Sequence, residues 1–433
     1  MPLVILGLGI LLLLILILLK VKPQYALPIV SLAVGLAEQM SFSETIKSIG
    51  FGIYDTLKSM AVVLCLGAML GKIIATGGAA QQITQTLVGW FGKKNISWAV
   101  MLTGFIVGIP LFYNAGFVIL IPLIFSIAAT AEVPLLFVGI PMAASLSVTH
   151  GFLPPHPGPT AIASIFHADL GKVLVNGLLL AVPAVILAGP LFAKVIQSKK
   201  MVAPSAVTIP APLLQLPSKS LSFFIAMLPV AMIGIATIIK SLSSQESVIE
   251  YADVLGNPIV ALSLALVLAL LFLSARKENP LKDNFDLMVI SVKEIYVIIF
   301  IIAAGGGFKQ VLVDSGVGDY IKSFAFELNL SPLLLAWSVA ALLRLSLGSA
   351  TVAGLTASGI VLPMLSGSVR PELIVLAIGS GSLMFSHLND TGFWMFKEYF
   401  NLTLKETFLS WSMMEMIISL TGLIGVILIN AFT

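Results

Sequence analysis

The sequence predicts an all-α polytopic membrane protein built from two inverted-topology repeats. About ten transmembrane helices are expected, with two re-entrant hairpins and two broken helices. Three observations carry this: a composition too apolar for water, uninterrupted apolar runs of helix length, and one internal offset relating the halves. Of 433 residues, 58% are hydrophobic and only 10% charged, with a mean hydropathy of +1.09. Soluble chains carry about 25% charged residues, so this one lacks the polar surface to coat a water-exposed core. The lone Cys65 excludes a disulfide framework and a cysteine-based zinc site. A net charge of +3 is spread along the chain, without the basic block of a nucleic-acid binder. The expected partner is the lipid bilayer.

Backbone groups in hydrocarbon must be satisfied internally, so spans are helices or closed barrels. Barrel strands alternate apolar and polar residues over about ten positions. Residues 3–19, 174–193 and 263–273 are continuously apolar instead. Residues 1–19 lack a basic leader and a small-residue cleavage site, which predicts a retained first helix. The Lys/Arg bias then orients the chain. With Lys20 and Lys22 in the cytoplasm, Lys93/Lys94, Lys194/Lys199/Lys200/Lys219, Arg276/Lys277/Lys282 and Lys397/Lys405 also fall inside. Glu246, Glu250 and Asp253 fall outside, as do both termini.

The halves match at an offset of 238 for Gly78/Gly316, Pro110/Gly348 and Ala115-Gly116/Ala353-Gly354. The offset is 237 for Pro134/Pro371, Ser145-Leu146/Ser382-Leu383 and His150/His387. Residues 1–195 are the first repeat, 196–220 a polar, Pro-containing cytoplasmic linker, and 221–433 the second repeat. An odd number of crossings per half would invert the second, a common plan among secondary transporters. Residues 96–131 and 331–366, interrupted at 108–117 and 347–354, are expected to be re-entrant hairpins. Residues 134–168 and 371–401, interrupted at 150–160 and 386–394, are expected to be broken helices. Non-helical backbone at membrane depth must line protein or a watery cavity, so the four interruptions should converge on one site.

The interruptions carry the chemistry. His150, His156 and His387 lie in them, with Asn389 and Asp390, and an intramembrane ionisable group suggests function. The bland reading is that the histidines tie down carbonyls freed beside the prolines. Helix N-termini at the tips offer free N–H groups and partial positive charge. Gly348, Ser349 and Thr351 add hydroxyls and close backbone approach; Tyr113, Asn114 and Gly116 add a phenol and an amide; Gly158 and Thr160 complete the set. A donor-rich site without surplus acids suits a small hydroxylated anion, although the small residues could serve helix packing alone. Asn114 cannot titrate, so Asp390 is the first expected proton carrier, followed by His150 and His387. Asp390 could alternatively cap the half-helix beginning near Thr391. Lys72 and Lys309 are expected to snorkel or cap. Arg344 is expected to face solvent, Glu415 to sit toward an interface, and Gly305-Gly306-Gly307 to be a packing site. His150, His156, His387 and Asp390 have no metal-ligand spacing. No metalloprotease or phosphate-loop motif is present, so neither enzyme activity nor a cofactor is expected.

The strings GAMLGKIIATGGA (67–79), SVTHGFLPPHPGPTAIA (147–163), GGGFKQVLVDSGVGDYI (305–321), LGSATVAG (347–354) and HLNDTGFWMFKEYFNLT (387–403) resemble those of gluconate permeases. These belong to the gluconate:proton symporter family within the ion transporter superfamily. The resemblance covers essentially the whole chain. It implies import of gluconate or a related sugar acid with protons across the bacterial inner membrane. It also implies a homodimer with elevator-type transport domains. Related carriers of other sugar acids and of D-serine leave the substrate open, and an anion channel is the rival class. Two departures stand out: Asn114 where many such members carry an acid, and Thr391 where a proline is common.

Overall fold

The computed structural model describes residues 2–196, 216–273, 280–317, 331–362 and 369–432. Most of the expected linker, 197–215, lies outside them, as do Arg276, Lys277 and the far end of the second hairpin. Among the described residues the structure is helical, without strands.

The apolar helices α1 (Pro2–Leu18) and α2 (Pro23–Ala37) lead into α3 (Phe42–Thr76). Helix α3 begins with a capping box: Ser41 Oγ accepts from Glu44 N, and Glu44 Oε2 accepts from Ser41 N. It is 35 residues long, about 50 Å at 1.5 Å per residue, and so exceeds a simple crossing. The amphipathic α4 (Ala79–Phe91) follows Gly78, whose φ of 80° is left-handed. Then come α5 (Ile96–Gly108), α6 (Tyr113–Ala131), α7 (Leu135–Phe152) and α8 (Pro157–Ile165). Helix α9 (Leu170–Ile186) continues through a π-helical turn at Leu187–Leu191, which contains Pro190, into α10 (Phe192–Ile196).

The second half opens with α11 (Lys219–Leu242), the short α12 (Glu246–Leu255) and α13 (Pro258–Phe272). Helix α14 (Pro280–Asp314) is again 35 residues long. It starts 238 residues after α3 and ends 238 after it, and two residues beyond its end stands the left-handed Gly316, φ 73°. Next are α15 (Pro332–Leu347), α16 (Ala350–Val361), α17 (Pro371–Gly381) and α18 (Thr391–Tyr399). The short α19 (Leu404–Thr407) passes through a π turn, Phe408–Ser412, into α20 (Met413–Phe432). Among the described residues, the helix pairs α15–α16 and α17–α18 follow α14 as α5–α6 and α7–α8 follow α3.

Helices α3 and α14 form the most extensive helix pair. A Cβ on Gly52 would strike the Gly306 carbonyl, and one on Gly307 would lie 3.2 Å from the Ile49 carbonyl. The triple glycine is a close-packing seam, as its position in an apolar helix suggested. Seven helices among the described residues are long and apolar enough to cross a bilayer, or eight if α12 and α13, bent by 50°, form one span. In six of the seven, between 28% and 50% of the most apolar window is buried; in α7–α8 it is 89%. The proline-broken backbone is thus enclosed by protein, which is where hydrocarbon chemistry permits it.

Three interruptions are shorter than expected, and the fourth, 382–390, keeps its length but begins four residues earlier than the expected 386–394. The first tip is residues 109–112, the second Gly348-Ser349, and the break after α7 only 153–156. His150 therefore sits in the last turn of α7 rather than in the break, and Gly158 and Thr160 lie within α8. The reason is that the missing N–H of a proline costs nothing in a helix's first turn, so helix resumes at Pro157. Gly116 and Thr351 are likewise helical.

Candidate functional site

Both tips, the last turns of α7 and the break before α18 converge on a cavity of about 520 Å³. One wall is the α3–α14 pair: Ala68, Gly71, Ile295, Ile298 and Ile301, with Lys72 and Glu294. Lys72 Nζ donates to Glu294 Oε1 at 2.6 Å, so Lys72 closes an ion pair across the helices rather than reaching for an interface. Gly71 lets the Pro110 carbonyl of the first tip rest on α3. The opposite wall is polar and comes from the tips and breaks: Tyr113, Asn114, Ser147, His150, Arg344, Ser349, Thr351, Asp390 and Glu415, with Trp411.

Arg344 was expected to face solvent; it is 3% exposed and paired to Asp390. The pair forms because the α15 C-terminus and the break before α18 meet at Gly348, where a Cβ would strike the Asn389 carbonyl and φ is 71°. Asp390 Oδ2 accepts from Arg344 Nη2 and Ser386 Oγ, and Oδ1 accepts from Gly392 N at 2.8 Å. Asp390 is thus the N-cap of α18 as well as the counterion of a buried guanidinium. Trp411 Nε1 donates to Ser386 Oγ at 2.8 Å, extending the network to the π turn before α20. Arg344 Nε and Nη1 have no protein partner.

Glu415, expected near an interface, is 1% exposed. Ser147 Oγ donates to its Oε1, and its Oε2 has no protein partner. Tyr113 packs edge-on against Trp411, with ring centroids 5.7 Å apart, and lies 6.3 Å from the His150 ring. Its hydroxyl and His150 Nδ1 are also buried without protein partners. Buried polar atoms are usually satisfied, so this concentration of free donors and acceptors around one space marks a ligand site.

Of the sequence-selected residues, Tyr113, Asn114, His150, Gly348, Ser349, Thr351 and Asp390 line this cavity. The others do not. Gly116 packs on Leu146. His156 Nε2 donates to the Gly108 carbonyl at 2.8 Å, while His387 Nε2 and Asn389 Nδ2 both donate to the Leu345 carbonyl, at 2.9 and 2.8 Å. Gly108 ends α5 and Leu345 lies in the last turn of α15, so His156, and not His150, ties down the end of α5 as His387 does that of α15. Gly158 borders a small satellite pocket with His150 and Thr351, and Thr160 is buried within α8. Arg344 and Glu415 were the misses. Each is a lone charge in an apolar helix, a signal that should have placed both in the site by the rule applied to the histidines. Among the described residues, no three His, Cys, Asp or Glu side chains converge to hold a metal ion.

A helical architecture with several apolar spans, and a cavity at helix breaks with one apolar and one polar wall, fits a membrane transporter. Two solved structures share the fold: the YdaH transporter of Alcanivorax borkumensis (TM-score 0.62, 14% identity, 90% of this chain and 89% of that one), and MtrF of Neisseria gonorrhoeae (TM-score 0.61, 14% identity, 88% and 83%). The chain belongs to the GntP family of permeases, whose sequence profile matches residues 1–432. It is 50% identical to a high-affinity gluconate transporter of Escherichia coli K12, over 99% of both chains. It is 48% identical to the Gnt-II system L-idonate transporter of the same strain, over 100% of this chain and 99% of that one. Identity to the gluconate permease of Bacillus subtilis 168 is 46%, over 99% of each. The family consists of permeases, and this chain is a transporter, not an enzyme.

Proposed function

We propose that the protein imports gluconate, or a closely related sugar acid, by proton symport across the bacterial inner membrane. The observation that carries this reading is Arg344: a buried guanidinium held in place by Asp390, with two nitrogens unspent, on the wall of a 520 Å³ cavity. Small-molecule pockets span about 300–1,000 Å³. The substrate carboxylate pairs with Arg344 through a charge-assisted hydrogen bond to Nε or Nη1, which lie on different edges of the guanidinium. The polyol meets Asn114, Ser349 and Thr351, while Tyr113 Oη and His150 Nδ1 take the hydroxyls nearest the first tip. This moves the carboxylate from the helix N-terminus at Ser349 to Arg344, and releases Asn389 and His387 to hold the Leu345 carbonyl. Gluconate and L-idonate, the substrates in the relatives' names, are both polyhydroxy carboxylates.

The equal lengths of α3 and α14 and their common 238-residue offset support two repeats, the second inverted by the Lys/Arg bias. An apolar α3–α14 wall facing a polar wall of tips and breaks suits an elevator in a homodimer, the polar wall carrying substrate past the apolar one. Counterflow of labelled gluconate in proteoliposomes, with competition by L-idonate, D-serine and glucose, tests the reading. Exchange of gluconate without net flux supports a carrier; competition by D-serine alone would move the substrate class to amino acids, and conduction without exchange would make the protein a channel.

A further inference from the structure

Seven ionisable side chains line the cavity, and four are committed: Arg344 pairs with Asp390 and Lys72 with Glu294, leaving Tyr113, His150 and Glu415. Glu415 is different. Its carboxyl is 1% exposed, one oxygen accepts from Ser147, the other meets no protein donor, and no lysine, arginine or histidine among the described residues forms an ion pair with it. An ionised carboxylate buried without a counterion is costly; the same group carrying a proton is not. The chain also goes out of its way to aim it there. The π turn at Phe408–Ser412 widens the helix just before Met413, putting Trp411 and Glu415 on the cavity, and such turns recur at functional sites.

Resting on the sugar-acid reading above, we infer that Glu415 carries the coupling proton: its carboxyl is protonated when substrate enters and releases the proton when substrate leaves. The charge count explains why the two travel together. Arg344 and Asp390 cancel, so an ionised Glu415 leaves the polar wall at −1 before any ligand arrives, and a substrate carboxylate would make it −2. With Glu415 protonated, the loaded wall carries only −1. Anion and proton each therefore favour the other's binding, and by linkage the effect is reciprocal. Of the helices packed against α20, α7 brings His150 to the cavity and α15 brings Arg344, while α9 and α17 bring no ionisable group to its lining. Tyr113, Asp390, Lys72 and Glu294 complete the charged and titratable surroundings. His150 is the one rival with a free nitrogen. Asp390 is disfavoured because both of its oxygens are engaged, one of them by a guanidinium.

The test compares the wild type with Glu415→Gln in proteoliposomes, reading gluconate counterflow and uphill uptake under an imposed pH gradient. The wild type should do both, its gluconate affinity falling up to about tenfold per pH unit as the linked proton is lost. Glu415→Gln, a permanent mimic of the neutral acid, should exchange gluconate with a flat pH profile and fail to accumulate it. Accumulation by Glu415→Gln, or an undiminished pH dependence, would overturn the assignment and hand the proton to His150. An independent measurement needs no variant: infrared difference spectra of the wild type should show a carboxylic C=O band appearing as gluconate binds near the alkaline end of the range. Absence of any such band overturns the proposal even if Glu415→Gln does not fold. Failure of the substrate reading looks different, since the wild type itself would then exchange no gluconate.

Discussion

Arg344 and Asp390, 46 residues apart in sequence, join the end of one hairpin arm to the start of a half-helix through one buried ion pair. The carboxylate does two things at once: it caps α18 through Gly392 N and holds the guanidinium through Nη2, leaving Nε and Nη1 without protein partners. Asp390→Asn keeps a capping oxygen but leaves Arg344 without its counterion. Breaking one side of a buried pair costs about 3–5 kcal/mol, so thermal unfolding of the purified variant should occur well below that of the wild type. Added gluconate, whose carboxylate can replace the lost charge, should recover part of the difference. A wild-type melting temperature would show that the pair is not energetically coupled to the fold.

Arg344→Lys keeps the positive charge and loses the fork. Charged hydrogen bonds contribute roughly 1.5–3 kcal/mol each, so gluconate affinity should fall by about one to two orders of magnitude. Calorimetric titration of purified protein would register this. Affinity equal to wild type would remove Arg344 from the substrate carboxylate.

Thr351 and Asn389 separate substrate contact from scaffold. Thr351 lines the cavity, whereas the Asn389 amide is spent on the Leu345 carbonyl. Thr351→Val should weaken gluconate binding by about 1–3 kcal/mol and leave unfolding nearly unchanged. Asn389→Ala should instead lower stability by about 1 kcal/mol with a smaller effect on affinity. The reverse pattern would place the polyol at Asn389.

Gly348 is where the second tip tolerates no side chain. Its left-handed φ of 71° costs a residue with a Cβ about 1–2 kcal/mol, and the Asn389 carbonyl already fills the space a methyl group would take. Gly348→Ala should therefore disturb both the Arg344–Asp390 pair and binding. Gly92 has a positive φ, 64°, with ψ 179°, a conformation nearly restricted to glycine, but open space around it, so Gly92→Ala should destabilise by about 1–3 kcal/mol without touching affinity.

The parts of this molecule that were legible in its sequence are those written in backbone chemistry. Proline and glycine inside apolar runs announced both tips and the break after α7, and the polar run at 386–390 announced the other. Proline alone does not decide, since Pro122 and Pro141 stand inside α6 and α7. The limits of the interruptions were misjudged at Pro157 and Pro159, which begin α8 instead of prolonging the break. Side-chain partners were less legible, since they depend on which elements meet. The equal sequence offset made His387 the counterpart of His150, yet the carbonyls at Gly108 and Leu345 select His156 and His387. Arg344 and Glu415 carry no local motif. Their importance appears only when α15, α18, α7 and α20 enclose one space.

The proposed inversion of the second half has a direct consequence for access. If the Lys/Arg bias sets orientation, the turn before α5 and the end of α10 face the cytoplasm, and the α11–α12 connection faces out. Asn95, Lys194 and Gln245 mark these places; all three are exposed and outside the core of their helices. Single cysteines at each, in a Cys65→Ser background, should react with a membrane-impermeant maleimide from one side only. Asn95→Cys and Lys194→Cys should be labelled in inside-out vesicles and protected in intact cells, and Gln245→Cys the opposite. Cys65 is half-buried and free, so its removal silences background labelling without breaking a disulfide. Labelling of positions 194 and 245 from the same side would give an even number of crossings between them, contrary to the one span, α11, that the described residues place there. That result would remove the inversion, and with it the expectation that the two hairpins enter from opposite faces to meet at Arg344 and Tyr113.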